Sequence, residues 1–158
     1  DSSLVGPMQL LLASNTALRL GRVEDAGFFL YAAQVRAAIG FERYDAPRRA
    51  DGNNAATYLG FLNQTIGEQV NPAIMRDRAQ FGAAIARIER WDPAPAADAW
   101  QPEFAGATLK LPEARWAASA AAIKERFLTG FGRRTRTLLN DPEYYEALEL
   151  APFVNEKR

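Results

Sequence analysis

The sequence contains neither cysteine nor histidine. Without cysteine there are no disulfides, thiolate nucleophiles, iron–sulfur clusters or cysteine zinc sites. The redox compartment stays open, because a cysteine-free chain tolerates either one. Histidine is the commonest general base and metal ligand near neutral pH. Its absence excludes histidine-based triads, the usual zinc enzyme sites and the Glu-x-x-His motifs of di-iron bundles. No cofactor is expected. Charge of one sign is lacking too: 19 basic residues balance 19 acidic ones. That removes a global pull on nucleic acid or anionic membrane, so no nucleic-acid partner is expected. No apolar run approaches the ~20 residues of a membrane span. The densest run, Ala26 to Ala33, is short and amphipathic. Lysine is scarce, with only Lys110, Lys124 and Lys157. The arginine- and alanine-rich usage reads as the coding bias of a GC-rich bacterial genome.

What is present suits one globular domain over residues 1–158. Hydrophobic content is 48% and aromatic content 11%, too apolar for a disordered chain. A fold of this length buries roughly 68–70% of its unfolded surface, so no metal or disulfide staple is required.

Helical periodicity runs through most of the chain. Pro7 suits a first turn, and Met8–Leu20 follows with Leu10, Ala13, Ala17 and Leu20 on one face, widened by Met8, Leu11, Leu12 and Leu18. Gly21 breaks it and is expected to take the left-handed cap conformation. A second helix is predicted over Val23–Phe41, with Glu24 and Asp25 at its positive end. Phe28, Tyr31, Ala32, Val35 and Ile39 form one stripe; Ala26, Leu30, Ala33 and Ala37 form a small-residue face fit for close packing on helix one. The segment from Tyr44 to Asn54 reads as a surface loop. A third helix is predicted over Ala55–Val70 and a fourth over Ala73–Trp91, separated by an Asn71-Pro72 start signal. Arg76, Asp77, Arg78, Arg87 and Arg90 are expected in solvent.

The segment Asp92–Pro112 carries Pro93, Pro95, Pro102 and Pro112, which forbid a continuous helix. It also carries Trp100, Phe104, Leu109 and Leu111. It is therefore either a strap whose aromatics plug a groove or a functional lid. A fifth helix from Pro112 to Leu139 contains Gly130 and Gly132, where a kink is expected. Asn140-Asp141-Pro142 starts a short last helix to Leu150, and the tail after about residue 152 is expected to fray. The predicted fold class is all-α: a compact antiparallel array of about six helices, without a convincing strand.

The first hairpin resembles a tetratricopeptide or Sel1-type unit over about residues 10–37. The matching residues are Gly21 at the turn, Ala26 five positions on, Leu30 in a large apolar slot and Ala33 three beyond. The family's early tryptophan slot holds Leu10 and its terminal proline slot Ala38, and no second copy follows at the expected period. The resemblance implies a protein-binding surface.

Candidate binding residues are Trp100 and Phe104 in the strap and Arg133 and Arg134 near the end of helix five. Aromatics anchor interfaces. Gly130-Phe131-Gly132-Arg133-Arg134 superficially resembles a phosphate loop, but it follows a helix and lacks the Lys-Ser/Thr ending. Its arginines also suit the negative end of a helix. Arg48-Arg49 is a second small basic site. Glu68, Asp77, Glu89, Asp92 and Glu103 are scattered carboxylates, and a pair of them in one cleft could hydrolyse a glycoside without histidine. Asn63-Gln64-Thr65 matches a glycosylation acceptor by chance composition of a helix. The leading expectation is a non-catalytic helical protein that binds another protein. The start at Asp1 fits a mature periplasmic or secreted bacterial chain, such as an immunity-type inhibitor of a toxin. The alternatives are a carboxylate-based hydrolase of cell-wall glycans, and a carrier with an apolar cavity between helices four and five.

Overall fold

Backbone chemistry at a single glycine sets the first turn of the fold. α1 (Pro7–Arg19) opens on Pro7 and ends where Gly21 adopts φ 71°. Arg22 N–H donates to Ala17 O and Gly21 N–H to Leu18 O, both at 2.9 Å, a Schellman closure that satisfies the last carbonyls of the helix. The chain then reverses into α2 (Val23–Arg43). The buried Ser14 hydroxyl donates to Ala26 O at 2.7 Å, so the two backbones approach closely at Ala26. The computed structural model describes residues 5–45, 54–93, 104 and 107–150. The remaining helices are α3 (Ala55–Met75), α4 (Arg78–Arg90), α5 and α6 (Pro142–Leu150). α5 is a composite helix from Glu113 to Leu139. A 3-10 turn at Glu113–Arg115 leads into α-helical Trp116–Phe127, then a π-helical segment Leu128–Gly132, then α-helical Arg133–Leu139. The described residues thus form an all-α array of six helices, as the periodicity predicts.

α2 is the axis of the array and touches α1, α3, α4 and α5. Both its predicted stripes are buried except for Ala37, which is half-buried, so most of the helix surface is covered by neighbours. Its middle carries an aromatic cluster: Tyr31 lies 5.0 Å from Phe131 and 6.2 Å from Phe81, ring centre to ring centre. Tyr31 Oη reaches Asn71 Oδ1 of α3 at 3.3 Å, and burial raises the phenol well above its ordinary pKa. α4 is tied to the start of α2 by Arg87, which donates to Asp25 at 2.7 Å and Glu24 at 3.1 Å and lies over the Phe28 ring. Arg87 is thus a packing residue, not the solvated one expected, because α4 lies directly across the acidic first turn of α2.

The boundary between α3 and α4 falls later than predicted. Pro72 does not open a helix; it sits exposed in the last turns of α3. The stripe Ile66, Val70, Ile74 continues through it and is fully buried, so packing overrides the single hydrogen bond that proline removes. The true start of α4 is Asp77, whose carboxylate accepts from Ala79 N and Gln80 N. Leu12, placed by periodicity on the inner face of α1, is 52% exposed.

The loop side adds one short ladder that the sequence pattern does not announce. β1 (Tyr44–Asp45) pairs antiparallel with β2 (Thr108–Leu109). Arg43 O also accepts from Lys110 N at 2.7 Å. This clamps the end of the proline-rich segment to the end of α2, next to a second core cluster of Val35, Ile39, Phe104, Ala120 and Ile123.

Candidate functional site

The charges of this chain are segregated. Charged residues make up 24% of the sequence, yet Arg19 is the one charged residue of α1 and Glu68 the one charged residue of α3. The two helices touch each other. Surface helices normally carry a charged outer face, so a pair with almost none calls for an explanation. On this side Phe61 is 64% exposed, Tyr58 52% and Leu12 52%. Tyr58 and Phe61 are three residues apart and share a face of α3. Asn54 starts the helix, accepting from Thr57 N at 2.9 Å, and so sets where both aromatics project.

On another side of α3, about half a turn around the helix from these aromatics, lies an open apolar groove of about 280 Å³. Leu11 of α1 closes one end. α2 contributes Ala33, Gln34, Ala37, Ala38 and Phe41; α3 contributes Ala56, Leu59, Gly60 and Asn63. Buried Leu11 and Leu59 form its base, and the small exposed residues Ala38, Ala56 and Gly60 leave it open to solvent. Its polar feature is an amide pair, Gln34 Nε2 donating to Asn63 Oδ1 at 2.9 Å. Among the described residues no charged side chain lines it.

The strap residues named from sequence lie elsewhere. Phe104 is only 4% exposed. It stacks on Tyr44 at 5.5 Å and meets Phe41 edge-on at 5.4 Å, so it is a core plug with no ring face left for a partner. Trp100, Arg48, Arg49 and Glu103 lie outside the described residues. Arg133 and Arg134 are both exposed. Arg133 approaches Glu125 at 3.7 Å, and neighbouring Arg136 pairs with Glu89 at 2.9 Å. The glycines before them are wound into the π-helical segment, where the backbone N–H groups turn along the helix and cannot cradle a phosphate.

The carboxylates divide in the same way. Asp77 is a helix cap; hydrogen bonds from the side chain and backbone of Gln80 hold its carboxyl below the usual range. Glu68 accepts from Gln64 on its own helix. Glu89 and Glu125 border a small cleft of about 140 Å³ with Ile85 and Leu128, but each is engaged by an arginine. Among the described residues no group of acidic side chains is arranged to hold a metal ion. A cleft of about 280 Å³ does lie between the end of α4 and α5. Arg90, Asp92 and Lys124 border it, and the Lys124 ammonium donates to Trp91 O and Glu89 O. These charges suit a carrier of apolar ligands poorly.

Two buried arginines were not foreseen. Arg36 and Arg43, two turns apart on α2, are 0% and 1% exposed. Arg36 lies 4.8 Å from the Trp91 ring centre and donates to Val5 O; Arg43 lies 4.5 Å from that of Trp116. Burial lowers the Arg36 guanidinium to about 10, against the attraction of Asp92. Indole faces replace part of the lost hydration. The available signal was indirect: Arg36 and Arg43 are spaced seven residues apart on α2 and share a face with its apolar stripe of Val35 and Ile39.

No helix among the described residues is long and apolar enough to cross a membrane. No protein-family model, curated protein or solved structure matches this chain, so its reading rests on the charge-poor helices α1 and α3 and their exposed aromatics.

Proposed function

We propose that this chain is a non-catalytic helical protein that works by binding another protein through the α1/α3 face. The observation that carries the reading is charge depletion on two exposed helices that also present Tyr58 and Phe61. The centres of protein interfaces are depleted in charge and enriched in aromatic residues, whereas an ordinary solvated face is the reverse. A hairpin of tetratricopeptide type, with Ala26, Leu30 and Ala33 at its seam, is part of the same proposal and supports a binding role.

The test is site-specific photo-crosslinking in the source organism. A photoreactive phenylalanine replaces Phe61 in one variant and exposed Thr129, on α5, in another. One stoichiometric adduct at position 61, absent at 129, is expected. Excess unlabelled wild-type protein should compete it away, whereas excess Phe61→Arg should compete about 30-fold less well, the effect of losing an aromatic anchor of ~2 kcal/mol. Adducts that are equal at both positions, or that Phe61→Arg displaces as well as wild type, would sink the reading.

A further inference from the structure

We infer that the outer face of α5 is a second docking surface, and that it receives an acidic helix whose carboxylates stand two turns apart.

α5 concentrates positive charge in a chain that has none overall. From Glu113 to Leu139 it carries Arg115, Lys124, Arg126, Arg133, Arg134 and Arg136 against Glu113 and Glu125. Half of those basic side chains are engaged. Lys124 donates to the carbonyls at the end of α4, Arg136 pairs with Glu89, and Arg133 pairs with Glu125. Arg115, Arg126 and Arg134 are exposed and pair with nothing among the described residues. The acids closest in sequence to Arg126 and Arg134 are occupied: Glu125 by Arg133 and Thr129, and Asp141 as the cap of α6.

The π-helical segment sets the spacing of the free arginines. In an uninterrupted α-helix, a residue eight positions on is turned by about 80° around the axis. Here Thr129, four positions beyond Glu125, donates to it at 3.0 Å, and Arg133, eight beyond, meets it at 3.7 Å. Leu128–Gly132 takes up the extra residue, so two turns span eight residues. The neighbouring row of Ala122, Arg126, Gly130 and Arg134 is brought into line in the same way. Arg126 and Arg134 therefore leave α5 on one exposed face, two turns or ~11 Å apart along the axis. The rest of the row is small and exposed. A Cβ at Gly130 would meet nothing within 4 Å, and alanine there would favour the helix more. A second helix can thus lie close to this face and still be reached by both guanidiniums.

Charge names the occupant. Arginine forms forked pairs with discrete carboxylates. An ordinary helix with acidic residues at i and i+7 offers two of them on one face, two turns apart, which matches the row. A nucleic acid is the weaker fit. Its phosphates form an unbroken row, which Glu125 beside Arg126 would repel, and α5 exposes no aromatic ring on which a base could stack. An anionic membrane is weaker too, since recruiting clusters hold about four to eight basic residues without acids among them.

The experiment titrates two alanine-rich peptides of about 18 residues into the nitrogen-15-labelled full chain at low salt, followed by NMR. One carries glutamates at i and i+7. The other is an isomer of the same composition with its glutamates at i and i+9, on opposite faces. The matched peptide should bind about tenfold more tightly, shift the side-chain N–H signals of Arg126 and Arg134, and lose affinity several-fold as salt is raised. The double variant Arg126→Glu/Arg134→Glu should lose this binding and gain binding to the peptide with lysine at i and i+7, an exchange that a misfolded chain cannot give. Equal affinity for the two isomers, no binding of the matched peptide, or no exchange in the double variant overturns the inference. Single-stranded RNA or phosphatidylserine vesicles that bind more tightly than the matched peptide, and are lost in the double variant, overturn it in favour of a polyanion. The crosslinking at position 61 probes a different face, and a partner captured from α5 differs in mass from that adduct, so the two readings fail separately.

Discussion

Gly27 provides a stringent test of how the groove-bearing helix is held. It is buried in α2 where the end of α3 crosses. A Cβ added at Gly27 would overlap Ile74 Cδ1, and it would lie 3.3 Å from Ile74 Cγ1 and 3.6 Å from the Ala84 Cβ. Gly27→Ala in a free helix would stabilise by about 1 kcal/mol. Here overpacking costs ~1–3 kcal/mol, because Ile74 is fully buried and has little room to turn. The expected net loss is about 1 kcal/mol, or roughly 2–4 °C in Tm at this chain length. Ile74→Val removes the colliding methyl and alone costs about 1 kcal/mol through the void it leaves. The two changes together move one methyl group from one side of the contact to the other. The double variant should therefore return close to wild-type stability, a coupling of about 2 kcal/mol. Urea denaturation followed by circular dichroism measures all four corners of the cycle. If the two changes add to within ~0.5 kcal/mol, Ile74 swings aside freely, and the α2–α3 contact does not fix the groove as argued.

The two glycines at either end of this scheme should respond with opposite signs. Gly21→Ala should destabilise by about 1 kcal/mol, since its Cβ meets nothing and the cost is purely that of φ 71°. Gly60→Ala should stabilise by about 1 kcal/mol, because its Cβ meets nothing within 4 Å and the helix gains propensity, a gain that thermal melts would read. The Asp25 carboxyl is held below its ordinary value, chiefly by the hydrogen bond from Arg87 and further by Arg22. A depressed carboxylate stabilises the fold above its unfolded pKa, near 3.8, and that contribution fades as pH falls through the lower folded value. Urea midpoints taken between about pH 6 and pH 2 should fall less steeply for Asp25→Asn than for wild type; parallel curves would remove the Arg87 clamp from the account.

The helices were legible because each signal acts over one or two turns. Gly21 with its left-handed φ and the stripes of α2 appear where the residue types place them, and Gly130 and Gly132, where a kink was expected, lie in a π-helical segment. The error at Asn71-Pro72 has the opposite cause. A proline is a good local start signal, but Ile66, Val70 and Ile74 continue one buried stripe past it, and burial of three large side chains outweighs one missing hydrogen bond. Of the two readings of the strap, Phe104 takes that of a plug, for a similar reason. A proline-rich context marks irregular backbone, not exposure, and β1 and β2 draw that stretch against α2.

The groove could not be read from periodicity, because it is a property of two helices at once. Ala33, Ala37 and Gly60 are unremarkable small residues until α2 and α3 lie side by side and leave their gap unfilled. The low charge of α3 was on the page from the start, but a helix with one charge reads equally as core or as interface. Hydrogen bonding and side-chain volume, which are local, thus settle helix positions and their caps. Whether Phe61 faces solvent and whether Arg36 and Arg43 face indole rings are non-local matters, decided by how six apolar stripes share a single interior.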